Sequence, residues 1–439
     1  MKKILTVFLL IVTVVSCNQK EKATDAEVEN FCNAHFSEWN KKLTYVIMTD
    51  IFPPPVCSRI YVYPNIAAYE ALLSQNKEYK TYGGRLKDLG AVPQPQAGEI
   101  ICYPLAASIA FTTVAVKLVF NGDAIVAQEK EYLLQLDSMG IRKELLENSL
   151  NYGRKVGNYI VEWAKKDGYQ QRTALGGYIV KKDSTRWIPT PPDYIDAIEN
   201  NWGRLRTMAL DSASQFRPPP PISYSTNKNS EFHKECLRVY TAITTPNPGD
   251  SATAWYWDDN PNTSVTDGHI TYFIQKNSPP GHWMHIVCSV ADKENYNAVK
   301  TANILSKTAI ALYDAFIACW DAKYYYNYLR PETFINKNID KDWQPLIQCP
   351  GFPEYPSGHS TISASAATAL TRLIGDKYAF TDSTEVPYGR PVRKFTSFYQ
   401  ASDQASMSRF YGGIHFLPSL NTGAKFGKEI GYYIMDKLE

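Results

Sequence analysis

Outside one proline-rich stretch, the apolar residues of this chain recur at helical spacing. Nothing competes with that pattern: alternating strand-like runs are scarce, and neither a strand–helix–strand rhythm nor an internal repeat is visible. Residues 26–49 carry Val28, Phe31, Cys32, His35, Phe36 and Trp39 at that spacing, after Asp25. "IFPPPVCSR" breaks this helix, and a glycine- and proline-rich connection leads on to about residue 97. Further helices are predicted over 101–121, 124–137 and 141–167, and again over 298–329, 357–374, 395–410 and 421–437. Such segments bury their apolar stripes helix against helix, so the expected fold class is all-α, built as helical bundles. With 439 residues, 44% of them hydrophobic, the core suffices for one large or two modest domains.

The chain divides by composition. Residues 1–17 read as a leader: a basic start, an apolar run over 4–15, then "VVSC" ending at Cys17. A small residue before cysteine matches a bacterial lipoprotein cleavage site. The expectation is therefore an exported protein, lipidated at Cys17 and held to a membrane only by that anchor, with 18–25 as a tether. Beyond the leader no uninterrupted apolar run of eighteen residues is found, so the mature chain is expected to be soluble. An N-terminal helical region spans 26–172. A proline- and aromatic-rich insertion spans 173–297, with "FRPPPPISYS" and "WYWDDNPNT" in it, and forms either a wall or lid over a pocket or a plain cover. His282, in "SPPGHWMHI", fits a hydrogen-bonded structural role. A C-terminal bundle over 298–439 completes the chain. Forty-six basic residues against 44 acidic leave a net charge of +2 without a basic block, which excludes nucleic acid as a partner. Seven further cysteines lie scattered with no CxxC pair, so neither a zinc site nor a dense disulfide scaffold is expected.

Three separated segments carry the chemistry. In "WDAKYYYNYLRPE", Lys323 and Arg330 lie seven apart, about 20° from alignment on one helix face, with Trp320 a turn earlier and Pro331 ending the helix. Two stacked cations repel unless an anion sits between them. In "PEYPSGHST", Ser357 and Gly358 open a helix whose free N–H groups and dipole attract an anion, and His359 adds a group able to give or take a proton. Small residues Ser363, Ala364, Ala366 and Ala367 let a neighbouring helix come close. In "SMSRFYGGIHFLPSL", glycines separate Arg409 from His415 and allow the two to converge. Together these are three cations, two neutral donors and two imidazoles, a set that suits a tetrahedral or trigonal-bipyramidal oxyanion.

Lys-x6-Arg-Pro, then Pro-Ser-Gly-His, then Ser-Arg-x5-His resembles the three-part signature of the vanadium-dependent haloperoxidase and type-2 phosphatidic acid phosphatase superfamily, in its soluble haloperoxidase-like branch. The resemblance implies oxyanion contacts from Lys323, Arg330, Ser357, Gly358 and Arg409. It makes His415 the vanadate ligand or phosphate nucleophile and His359 the acid–base group, with Trp320 and Phe352 lining a halide pocket. Phosphatase-type members carry an acid four residues after the second histidine, where this chain has Ser419. Serine orients the ring without adding charge, so a weaker nucleophile is expected, which favours ligating vanadate over displacing an ester. The resemblance thus implies a haloperoxidase using vanadate, peroxide and a halide. The alternatives are a cofactor-free soluble acid phosphatase acting on a phosphate ester through a phospho-histidine, and a surface lipoprotein that binds oxyanions without turnover.

Overall fold

The structure is a computed structural model that describes residues 22–74, 76, 78–181 and 183–439. The leader with Cys17, and the tether up to residue 21, lie outside the described residues. The first helix begins one residue earlier than expected. Thr24 Oγ1 accepts from Glu27 N (3.3 Å) while the Glu27 carboxylate accepts from Thr24 N (2.7 Å), a capping box that makes Asp25 the first helical residue.

The N-terminal half comprises α1 (Asp25–Ala34), α2 (Glu38–Thr49), α3 (Pro54–Leu73), α4 (Tyr103–Ala115), α5 (Asp123–Ser138) and α6 (Lys143–Ala164). The single helix expected over 26–49 is two, because the His35 ring bonds the Phe31 carbonyl (2.8 Å) and ends the first. "PPPVCSR" starts a helix as well as stopping one: Pro54 and Pro55 occupy the first turn of α3, where a missing N–H costs nothing. Residues 54–72 of α3 are buried throughout, and α4, α6 and α10 (Ala298–Tyr326) pack around them. Arg59 on α3 is compensated by Asp167 (2.6 Å) just beyond α6.

The insertion combines proline-rich loops with short elements. It holds α7 (Glu231–Thr244), α8 (Pro248–Tyr256), a hairpin of β1 (Ser264–Asp267) and β2 (Ile270–Phe273), and α9 (Pro279–Lys293). It is also tied to the core. Asp314, buried on α10, accepts three backbone N–H groups from Met208, Ala209 and Leu210 at 2.6–2.8 Å. Trp187, Trp202 and Trp257 are buried from this region.

The C-terminal half continues with α11 (Pro331–Asn338), α12 (Gly358–Ile374), α13 (Phe398–Tyr411) and α14 (Leu417–Leu438). Strands β3 (Phe380–Asp382) and β4 (Arg393–Phe395), not anticipated from the sequence, pair antiparallel between α12 and α13. α12 is the hub, packed against α10, α13 and α14. Its approach to α14 is set by Gly423, Gly427 and Gly431, one per turn. A Cβ at Gly427 would stand 2.0 Å from the Thr361 carbonyl. The small residues on α12 do admit a neighbour, and the neighbour contributes glycines. α10 is long and apolar enough to cross a membrane by length and mean composition, although Lys307, Asp314 and Asp321 interrupt its apolar run. Its apolar window is entirely buried inside the bundle. All seven cysteines among the described residues are buried and free.

Candidate active site

Lys323 occupies the last turn of α10, fully buried, and its ammonium donates to the Pro353 (2.8 Å) and Glu354 (3.0 Å) carbonyls. Arg330 does not follow it along the same helix, as the spacing predicted. Asn327 takes the left-handed conformation (φ 49°) and closes α10; the chain then runs extended, and Arg330 is the N-cap of α11. Pro331 therefore begins a helix and does not end one. The guanidinium still arrives beside Lys323's loop: Nε and Nη2 donate to Phe352 O (3.1 and 2.9 Å), and Nη1 donates to Ile414 O (2.9 Å).

The second segment behaves as expected. Ser357 caps α12, its hydroxyl accepting from Ser360 N (3.4 Å), and Gly358 and His359 form the first turn. His359 Nε2 is enclosed and has no hydrogen-bond partner. Burial, then the Arg409 guanidinium, hold this imidazole well below its ordinary range, so it is neutral near pH 7. A Cβ at Gly358 would meet Lys323 Cε and Trp320 Cζ3 at 3.7 Å each; glycine leaves that space open.

In the third segment α13 ends at Gly412 and Gly413 (φ 79°), and the reversal brings Arg409 and His415 to one place. Arg409 Nη2 donates to the carbonyls of Trp257 (2.5 Å) and Ala254 (3.3 Å), both in the insertion. Trp320, Phe352, Gly358, His359, Arg409 and His415 line one cavity, together with Asp258, Asp259 and Asn260 of the insertion. Trp320 and Phe352 pack with ring centroids 4.8 Å apart. The insertion is thus a wall of the pocket. Lys323, Arg330 and Ser357 lie just behind the lining.

Ser419 does not leave His415 without a carboxylate. Glu354, fully buried in the loop before α12, accepts from His415 Nδ1 (2.7 Å), from Phe416 N (3.2 Å) and from Ser419 Oγ (2.8 Å). The tautomer follows from the other side of the ring. Arg330 Nη1 lies 3.1 Å from His415 Nε2 and can only donate, so Nε2 carries the lone pair and Nδ1 the proton. The weaker-nucleophile expectation is corrected: the acid comes from Glu354, and serine bonds the acid and not the ring.

Lys323, Arg330 and Arg409 are each at most 1% exposed, and none forms an ion pair within 4.0 Å of a carboxylate among the described residues. Burial pushes Lys323 down to about 7. Two desolvated guanidiniums and a lysine that an anion would recharge, beside an imidazole lone pair, a helix N-terminus and an unpartnered histidine nitrogen, fit a compact, multiply charged oxyanion such as vanadate.

Comparison with solved structures finds a bacterial vanadium-dependent iodoperoxidase at 38% identity, covering 96% of this chain and 99% of that one, with a TM-score of 0.87. The chain belongs to the vanadium-dependent haloperoxidase family. A family model described as the VCPO second helical-bundle domain matches residues 303–439. Holo and apo bacterial vanadium-dependent chloroperoxidases share the fold at 18% and 16% identity, each covering 89% of this chain, with TM-scores of 0.69 and 0.68. Comparison with curated proteins finds no match.

In this haloperoxidase-family chain, Gly358, His359, Arg409 and His415 line one cavity, Arg330 Nη1 lies 3.1 Å from His415 Nε2, and Lys323 and Ser357 lie beside Gly358. Sequence reasoning missed Glu354 and the acidic wall at Asp258 and Asp259. Glu354 did leave a signal: it is the one charge in the otherwise apolar "CPGFPEYPSG", three residues before the helix cap. His282 is structural in part, as expected. It is buried between Asp259 and Asp382 and stacked on Trp257, ring centroids 4.3 Å apart.

Proposed function

We propose that this chain is a vanadate-dependent haloperoxidase that oxidises halide, iodide first among them, with peroxide. The observation that carries the reading is the His415 lone pair, held by Glu354 and aimed among three buried cations. The iodoperoxidase relative, similar over nearly the whole chain, supports it.

Lys323, Arg330 and Arg409 would balance the charge on the vanadate oxygens, with Ser357 Oγ and the first N–H groups of α12 as neutral donors and His415 Nε2 as the ligand to vanadium. Bound vanadate supplies a Lewis-acidic centre at which peroxide is activated without redox change of the metal. Glu354 keeps the proton on His415 Nδ1 and so keeps Nε2 free to ligate. His359, neutral and unpartnered at Nε2, takes a proton from incoming peroxide there and returns it to a leaving oxygen. Trp320 and Phe352 give an apolar shelf that keeps water off the reacting atoms and tolerates a large, weakly hydrated halide.

The test uses purified protein without residues 1–17, assayed for iodide and bromide oxidation with peroxide, with and without vanadate. Oxidation that requires vanadate and is lost in His415→Ala is the expected result. Phosphate-ester hydrolysis inhibited by vanadate, without halide oxidation, assigns the site to a phosphatase. Silence in both assays assigns it to oxyanion binding alone.

A further inference from the structure

A second cluster of ionisable groups lies behind the acidic wall of the cavity, and the proposed reaction does not use it. His282, the fourth residue of α9, is fully buried. Its Nε2 donates to Asp382 Oδ2 (2.8 Å), and Asp382 is completed by Thr384, which donates from N (3.0 Å) and Oγ1 (2.6 Å). Its Nδ1 faces both oxygens of Asp259 at 3.1 and 3.2 Å and Glu385 Oε1 at 3.7 Å. One ring nitrogen thus confronts three carboxylate oxygens. Glu385 Oε1 is buried, on a residue only 8% exposed, and has no hydrogen-bond partner. Asp258, the next acid, is already neutralised by Lys276 and leaves nothing over for the cluster.

We propose that Asp259, His282 and Glu385 form a binding site for one divalent first-row transition-metal cation, with Zn2+ the simplest occupant. One donor atom from each of the three residues lies within 4.8 Å of the others. Metal–ligand bonds of about 2.0–2.2 Å place neighbouring donors on the order of 3–4 Å apart, so small rotations of the Asp259 and Glu385 side chains suffice. The ligand set, one imidazole and two carboxylates, suits Zn2+ or Mn2+ and not a hard cation that wants oxygen alone. The outer bond is in place: a ligating histidine ordinarily donates its other N–H to a carboxylate, which is the His282–Asp382 contact. A cation also gives Glu385 Oε1 the partner it lacks. Asp259 lines the catalytic cavity and faces Arg409 electrostatically. Holding Asp259 on a metal would offset its negative charge in the field felt by Arg409.

The competing arrangement is metal-free, with a doubly protonated His282 between two aspartates and stacked on Trp257. Protein stripped with EDTA and titrated with ZnCl2 distinguishes the two by metal content and calorimetry. One Zn2+ per chain is expected, with affinity falling at least tenfold in Glu385→Gln and 10- to 100-fold in Asp382→Asn. In EDTA, Glu385→Gln should melt no lower than the wild type, because it removes an unpartnered buried carboxylate. Zinc X-ray absorption on the loaded wild-type protein provides a readout that needs no variant: a nitrogen and oxygen shell with one imidazole and no sulfur. Substoichiometric zinc, equal affinity in Glu385→Gln, or a sulfur shell from one of the cysteines would overturn the proposal in favour of the imidazolium network.

Discussion

Glu354→Gln is the most informative single change at the oxyanion site. Glutamine keeps the shape, and its carbonyl oxygen still accepts from His415 Nδ1 and Phe416 N, now held at 2.7 and 3.2 Å by the carboxylate. Its amide donates to Ser419 Oγ, which rotates to accept. Burial pushes Glu354 up to about 7, so at pH 8, where it is mostly ionised, only the charge is lost. A hydrogen bond to an ionised acceptor is worth about 1.5–3 kcal/mol and a neutral one about 0.5–1.5 kcal/mol. The difference, about 1.4 kcal/mol, is roughly a tenfold weaker hold on vanadate, at the lower end of the usual effect of removing a ligand's orienting partner. Glu354→Ala is less useful, since it strands three buried donors at about 1–3 kcal/mol each and threatens the fold. The sharper arm is a cycle with Ser419→Asp. Ser419 Oγ stands 2.8 Å from Glu354 Oε2, so an aspartate there delivers a carboxylate to the same buried spot. Alone it crowds Glu354 with a like charge and weakens binding; in the Glu354→Gln background it should recover most of the tenfold loss. Vanadate titration by calorimetry on all four proteins reads the coupling. Unchanged affinity in Glu354→Gln, or additive losses in the double variant, would refute an electrostatic role for Glu354 in orienting His415.

Other perturbations read the same site and its scaffold. Lys323, pushed down to about 7 by burial, is mostly neutral at pH 8 in the free protein, and a bound anion should raise it again. Sulfate, which does not titrate there, should bind with net proton uptake at pH 8 that is much smaller at pH 6, shared by Lys323 and by Glu354, which burial also pushes to about 7, read by calorimetry in buffers of different ionisation enthalpy. The accompanying stability term has a definite sign: between about pH 7 and 10.4 the unfolded chain holds more protons at Lys323, so this contribution to stability rises with pH across that window. His359→Gln should leave vanadate affinity within a few-fold of wild type and lower kcat by about 10²–10⁴, a split that steady-state kinetics with a binding titration resolves. Gly427→Ala forces a methyl toward the Thr361 carbonyl and should cost at least 1–3 kcal/mol, on the order of overpacking in a tight core, by denaturant unfolding.

Much of the architecture was legible because it rests on local signals. Helical periodicity located most of the helices, and the cap at Ser357 and the break at Gly412–Gly413 were readable from residue type alone. The errors came where a local signal has two readings. Proline stops one helix and opens the next, so "LRPE" reads as an end in the sequence, whereas Arg330 is a cap and its guanidinium reaches back across a loop. A histidine can hold its own carbonyl, as His35 does, and split a periodic stretch in two. The motif residues themselves were found because they sit at fixed spacings. Glu354 was missed because its partner His415 is 61 residues away, a contact that only the packing of α12 against α14 creates.

Glu354 also explains how this site holds a carboxylate against a buried imidazole without losing its positive field. It supplies the one carboxyl group in direct contact with His415, pushed up to about 7 by burial, from the loop whose carbonyls bind Lys323 and Arg330. An acid at 419 would ride on α14 and move with the last helix. An acid at 354 is fixed to the cation-bearing loop, between the Phe352 carbonyl that holds Arg330 and the Ser357 cap. Displacing that loop would therefore disturb the ligand nitrogen and two of the three cations together. Substitutions at Phe352 or Pro353 that shift the carbonyls should weaken oxyanion binding even where no side chain touches the anion, and a variant there that bound vanadate normally would separate the loop's backbone from the site.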